Sequence, residues 1–370
     1  MRFFLKKKTI AFILNYAPHY RLHIYKKLGE VLNADFYFGN KVNGNIKKIN
    51  YEYLPSFKSE LKTISFNKFS WLIGWYKIFR KKYSIIILTG DPQILSNWLL
   101  LIISKTTNTK VFLHTHGWYG REKLITKTIK KTYYKLSDGL LLYGERAKSL
   151  MINEGFDPKY LHVIYNNLDY ENQVLIRKTI TKDNLYKSLF NNNNPVLIFI
   201  GRLTYAKKLD LLIEAQIILE NKNLSVNLVF IGEGEAEINL RNKVDISMID
   251  RVCFLGSIYE EQMIAPYLYH ADLCVSPGFV GLTAMHSLAY GTPVITHNNF
   301  SNQVPEFEAI KEGITGVFFE EDNVNSLVDK IYDWLVSVKD REVIREYCFK
   351  EIEEKWNIES QSKIMTSILK

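Results

Sequence analysis

Two segments hold the side chains best suited to chemistry: GRLTYAKKLD, residues 201–210, and SPGFVGLTAMHSLAYGTPVIT, residues 276–296. In the first, Gly201 closes an apolar run, and its missing Cβ lets the chain turn while a ligand comes close. Arg202 and Lys207 follow, a guanidinium fork on the loop and a mobile ammonium in the first helical turn. Beside a helix N-terminus such a pair suits two linked phosphates, because the free N–H groups and the dipole already favour anions there. The same charges would stabilise a departing nucleoside diphosphate without a metal ion. The competing reading makes Lys207 and Lys208 solvated lysines, although a helix start is an unfavourable place for them.

In the second segment Gly278 and Gly281 loosen the loop after the run LCVS, and Leu282 to Tyr290 reads as a helix stopped by Gly291 and Pro293. Its first N–H groups, on Leu282 and Thr283, would hold a phosphate directly. His286 lies one turn further in. It serves either as a partner for a sugar hydroxyl or as a core histidine bonded to backbone.

The elements that must position these residues are legible as a rhythm. Short apolar runs (TIAFILN, SIIILTG, KVFLHTHG, GLLLYG) alternate with longer helical ones, and a second series starts at PVLIFIGR. Continuous apolar runs suit strands covered on both faces, and helical crossovers between them imply parallel sheets. The fold class is therefore α/β: two Rossmann-like, doubly wound domains facing across a cleft, with ligands at the carboxyl ends of the strands. The expected boundaries are 1–168 for the first domain, 169–194 for a polar linker and 195–345 for the second domain. Residues 346–370 are expected to form helices that pack back on the first.

Composition narrows the partners. Residues 1–190 carry 32 basic against 13 acidic side chains, whereas residues 191–370 carry 16 against 26. So basic a first half fits an anionic surface, with a merely solvated lysine-rich face as the alternative. None of the usual nucleic-acid modules is present, so a nucleic-acid-binding protein is the weaker reading. The three cysteines show no CxxC spacing and fit a reducing cytoplasm, with no disulfide framework or zinc site. The start, MRFFLKKKTIAFILN, has too short an apolar run for a signal peptide and reads as a first buried strand. No run approaches the roughly 18 residues of a membrane span, so membrane contact would be peripheral. FNKFSWLIGWYKIFRKKY and KLITKTIKKTYYKLS read as basic amphipathic helices that could lie in an anionic bilayer surface, or simply cover the sheet.

The two segments resemble those of the retaining GT-B glycosyltransferases of family 4, the group 1 transferases. The resemblance implies that Arg202 and Lys207 bind the diphosphate of a nucleotide-sugar, with Gly201, Gly278, Gly281, Leu282, Thr283, His286 and Glu306 around the donor. It departs from the family at a pair of glutamates eight positions apart, which fall here on Gly278 and His286. Glu306 and Glu308, in VPEFEAIKEGITG, sit where the family has a PEI segment, and one of them could return a carboxylate. His116, in FLHTHGWYGR, matches the family's histidine near the sugar. The loop NYAPHYR lacks the usual glycine pair, so His19, Tyr20 and Arg21 are assigned instead to the acceptor. The implied activity is transfer with retention to a lipid-linked or oligosaccharide acceptor, in surface polysaccharide synthesis such as O-antigen or capsule. No cofactor or metal is expected, since no DxD motif occurs. The missing glutamates leave a catalytically silent partner subunit as the alternative.

Overall fold

In the computed structural model, which describes residues 9–41, 46–81, 83–181, 184–337 and 340–370, the chain divides into two compact units. The first runs to Asp169 and regains Ile358–Lys370, and the second is Tyr170–Asn357.

The first unit contains, in chain order, β1 (Ile10–Leu14), α1 (Leu22–Leu32), β2 (Ala34–Gly39), β3 (Phe57–Leu61), β4 (Thr63–Phe66), β5 (Phe69–Leu72), α2 (Trp75–Phe79), β6 (Ile85–Thr89) and α3 (Leu95–Ser104). It continues with β7 (Lys110–Thr115), α4 (Leu124–Lys135), β8 (Gly139–Leu142), α5 (Glu145–Asn153) and β9 (Leu161–Val163). Seven strands form a parallel sheet in the order β3-β2-β1-β6-β7-β8-β9. The winding direction reverses between β1 and β6, which in open α/β sheets is where a ligand crevice lies. Runs such as IAFIL and IIILT are buried on both faces, as parallel strands require. One face packs on α2, α3 and α4 through Trp75, Leu100, Leu101, Tyr133 and Tyr134, and the other on α1.

The second unit holds α6 (Tyr170–Arg177), α7 (Leu185–Phe190), β10 (Val196–Ile200), α8 (Asp210–Asn221), β11 (Asn227–Ile231), α9 (Glu237–Lys243), β12 (Val252–Phe254) and α10 (Glu261–His270). Then follow β13 (Leu273–Ser276), α11 (Leu282–Ala289), β14 (Val294–His297), β15 (Gly316–Phe319), α12 (Val324–Val336) and α13 (Arg341–Lys355). Its parallel sheet has the order β12-β11-β10-β13-β14-β15, so the reversal falls between β10 and β13. Those are the strands that lead into the two segments singled out above.

Three expectations need correcting. Residues 169–194 are not a free linker, since α6 and α7 lie within the second unit. Tyr186 donates to the Tyr267 carbonyl at 2.5 Å and Gln173 to Glu261 at 3.0 Å, both on α10. The switch back to the first unit comes at residue 358 rather than 346. α13 stays with the second unit, burying Cys348 and Ile352, while α14 (Ile358–Leu369) adds Met365 and Leu369 to the cluster of Ile24, Leu28 and Leu32. FNKFSWLIGWYKIFRKKY is not a helix. Asn67, at φ 54°, turns β4 back antiparallel on β5, and Gly74 at φ 98° leaves room only for the short α2. Residues 1–8 of the expected first strand lie outside the described residues. Among those described, no helix is long and apolar enough to cross a membrane.

Candidate functional site

The two glycine-rich segments of the second unit fold onto each other at the carboxyl edge of β10 and β13. Lys207 ends a short 3-10 turn, Tyr205–Lys207, and α8 begins only at Asp210, so Lys207 precedes the helix rather than standing in its first turn. Its backbone carbonyl accepts from Gly278 N–H at 2.8 Å, and its Nζ donates to the Phe279 carbonyl at 2.6 Å. The ammonium also sits 3.9 Å from the centre of the Phe279 ring. Only 8% of Lys207 is exposed, and burial lowers its pKa to about 8; the negative charge of Glu306 opposes that shift and the positive charge of Arg202 adds to it. Arg202 itself is exposed, and its guanidinium has no partner among the described residues.

Two glycines make this packing possible. A Cβ on Gly278 would lie 2.2 Å from the Ala206 carbonyl oxygen and 2.8 Å from Lys207 Cα, so no side chain fits there. Gly281 takes φ 58° and ψ −149°, a combination open in practice only to glycine, and so turns the chain into α11. No side chain caps α11, which leaves the N–H groups of its first turn, Leu282 and Thr283 among them, to other acceptors. Thr283 Oγ1 donates to the Ile200 carbonyl at 2.7 Å, fixing the helix start to the end of β10 beside Gly201.

Two supports of the loop carry no motif. Thr296 Oγ1 donates to the carbonyls of Ser276 and Gly278, at 2.8 and 3.1 Å. Gln303 accepts from Val280 N–H at 2.9 Å and donates to Thr296 Oγ1 at 2.8 Å and the His297 carbonyl at 3.1 Å. Thr296 lies inside the PVIT run, but nothing in the sequence singles out Gln303. Glu306, buried in the turn Pro305–Ala309, is close enough for its charge to act on Lys207, while Glu308 is only half-buried. His286 faces α10, where its Nε2 lies 2.8 Å from Glu261 Oε1. It is therefore not the backbone-bonded core histidine of the second sequence reading.

The first unit gathers a different set. Arg21, in the turn before α1, is buried and donates through Nη2 to Tyr143 Oη at 3.1 Å. Tyr143 follows β8, and its ring centre lies 4.7 Å from that of His114 and 4.8 Å from that of His116. His116 Nδ1 is 2.6 Å from Tyr119 Oη. His114 has a buried Nε2 without a partner; burial first, then the charges of Arg21 and His116, push its pKa down to about 3, so it is neutral. Of the three residues assigned to the acceptor, only Arg21 joins this cluster. His19 is exposed and makes a 3.3 Å contact with the Lys47 carbonyl, and Tyr20 packs edge-on against His19. Tyr143 was not anticipated, although it follows GLLL just as His116 follows FLHT. Among the described residues no three His, Cys, Asp or Glu side chains converge as metal ligands.

Residues 181–351 match the family of glycosyl transferases group 1. An uncharacterized glycosyltransferase of Methanocaldococcus jannaschii, MJ1607, is 27% identical over 232 residues, which is 60% of this chain and 54% of the relative, so the match spans about half of that relative's length. The structure is similar to that of Anabaena HepE, solved in complex with UDP, at a TM-score of 0.74 with 15% identity, over 98% of this chain and 99% of the other. It is also similar to WaaB, a lipopolysaccharide outer core galactosyltransferase, at 0.69 with 15% identity, over 98% and 100%. The fold is that of the GT-B glycosyltransferases, and residues 181–351 are the part of it that matches the glycosyl transferases group 1.

Proposed function

We propose that this chain is a glycosyltransferase that moves a sugar, with retention and without a metal ion, from a nucleotide-sugar to an acceptor hydroxyl. The observation that carries the reading is the cradle made by Arg202, Lys207 and the uncapped start of α11, within the stretch that matches group 1 transferases. As the bond from the anomeric carbon to the diphosphate breaks, negative charge builds on the leaving oxygen. Fixed N–H groups stabilise that charge without reorganising, and the guanidinium of Arg202 and the ammonium of Lys207 add to it. The acceptor hydroxyl enters from the face the diphosphate leaves, and His116, positioned by Tyr119 and Tyr143, is assigned to the sugar.

Uridine diphosphate is the first ligand to try, because the structural neighbour HepE was solved with UDP. In a thermal-shift panel of UDP-, GDP- and CMP-sugars, one base class should raise the melting temperature and release free nucleoside diphosphate on incubation. A panel with no shift, or unchanged turnover in Arg202→Ala, would sink the reading.

The acceptor we assign is a lipid-linked or growing surface polysaccharide at the inner face of the plasma membrane. WaaB, another neighbour, is a lipopolysaccharide outer core transferase. α4 supports a peripheral contact: Leu124 and Ile125 are 80% and 76% exposed and Lys135 is exposed on the same helix, while Lys127 is paired with Glu154, Lys130 with Glu122, and Lys131 with the Glu154 carbonyl. Each basic residue near an anionic surface contributes about 1 kcal/mol. Flotation with vesicles should depend on anionic lipid and weaken in the double variant Leu124→Ser, Ile125→Ser. Equal flotation with neutral lipid would remove the membrane from the proposal.

A further inference from the structure

Between β7 and α4 the chain runs HGWYGRE, residues 116–122, with His116 at its head. Gly117 takes φ 72° and Gly120 φ 90°, conformations that glycine reaches easily and other residues rarely. Two such residues within four leave a loop that its own backbone does little to fix. A buried ion pair fixes it instead. Glu122 ends the loop and Lys130 stands in the middle of α4; their side chains are 6% and 14% exposed, and Nζ lies 2.8 Å from Oε1. Glu122 accepts from the N–H of Tyr119 at 3.0 Å through Oε1 and from that of Gly120 at 2.9 Å through Oε2. Lys130 Nζ donates to the Gly117 carbonyl at 2.9 Å and sits 5.1 Å from the centre of the Trp118 ring. One pair thus touches every residue from Gly117 to Gly120.

Stability alone is a weak reason for such a pair. Apolar side chains would cover the same surface without stripping water from two charges. They would not, however, hold three backbone groups of a glycine-rich loop in fixed places. Burial disfavours the charge on Glu122, but the hydrogen bonds from Lys130 and Tyr119 outweigh it and keep the carboxyl below its ordinary pKa. What the held loop carries is His116. Tyr119, fixed at its N–H by Glu122, sets its Oη 2.6 Å from His116 Nδ1. Gly117, fixed at its carbonyl by Lys130, ties its N–H to Thr115 Oγ1 at 3.2 Å, so the chain is anchored on both sides of His116.

We infer that Glu122 and Lys130 are positioning residues for His116: through Tyr119 they set the rotation of the imidazole, and through Gly117 they set the backbone that bears it. They act through His116 and not on the sugar directly. An imidazole displaced by about 1 Å from its productive place can lose on the order of 100-fold in rate. The inference rests on the assignment of His116 to the transferred sugar. Lys130 thereby belongs to the site rather than to the exposed basic face of α4.

The full chain is incubated with UDP-glucose, GDP-mannose and CMP-sialic acid, and the donor that is turned over is carried through a double-mutant cycle with released nucleotide as the readout. Glu122→Gln should lower kcat about ten-fold, the weight of one charge-assisted hydrogen bond, and leave the donor KM within about two-fold. In the His116→Ala background the same substitution should cost nothing further. An equal loss in both backgrounds makes the pair a prop of the fold alone; it overturns the inference and leaves the role of His116 standing. If His116→Ala turns over at the wild-type rate, or if the wild type turns over none of the three donors, the underlying reading fails and the inference with it. Should Glu122→Gln not fold, Tyr119→Phe decides, since it keeps the ion pair and removes only the hydroxyl at His116. An unchanged kcat in that variant counts against the inference.

Discussion

At the carboxyl edge of the second sheet the groups offered to a ligand are mostly backbone. Glycines at 278 and 281 let two loops meet, and side chains such as Thr283, Thr296 and Gln303 are spent on holding those loops in place. At the same edge of the first sheet the groups are side chains: Arg21, His114 and His116 are arranged around the ring of Tyr143. The difference suits what each edge would meet. A diphosphate is a constant shape recognised well by fixed N–H groups. A variable sugar or acceptor needs side chains that can change from one relative to the next.

Arg202→Ala is the sharpest way to test that contrast, because Arg202 is an exposed charge of the backbone-built site with no partner among the described residues. Loss of a charge-stabilising group should lower kcat/KM on the order of 10²-fold, about 3 kcal/mol. The melting temperature should barely move; a large fall would make Arg202 structural. Gly278→Ala comes next. Its methyl would meet the Ala206 carbonyl, and we expect about 1–3 kcal/mol of lost stability by urea titration together with weaker nucleotide binding. A neutral result would mean that the two loops are not locked as described.

On the side-chain-built edge, Tyr143→Phe takes a hydrogen bond from the buried Arg21 and should cost about 1–2 kcal/mol. Transfer should then suffer more than donor binding. If donor affinity alone changes, the division between the edges is wrong.

The smallest effect is a pH dependence. With Lys207 held to about 8, its charge is lost between pH 7 and 9, and nucleoside diphosphate affinity should fall several-fold over that window. The unfolded chain keeps its proton up to about pH 10, so it binds more protons than the folded one above pH 8. The contribution of Lys207 to stability therefore rises with pH while affinity falls. Lys207→Arg, charged throughout, should flatten the affinity profile, and an unaltered profile would clear Lys207 of contact with the phosphates.

Much of this was readable from residue order because glycine leaves a mark. GRLTYAKK and PGFVGLT announce turns whose backbone cannot tolerate a side chain, and runs such as VLIFI announce strands buried on both faces. The helix stop at Gly291 could be read for the same reason. The hairpin β4–β5 was hidden because aromatic residues and lysines fit a helical stripe as well as a strand, and neither spacing is strong over four residues.

The sequence by itself determined the α/β alternation, the two strands that lead into the glycine-rich segments, and the presence of Arg202 and Lys207 after the first of them. These depend on local periodicity and on residues with distinctive backbone freedom. Tertiary structure alone decided that Lys207 is clasped by the carbonyl of Phe279, that Gln303 props the loop, and that His286 faces Glu261 rather than backbone. Each of these is a contact across more than twenty residues of chain. A side chain's partner at that range is set by how the elements pack, which no local pattern encodes.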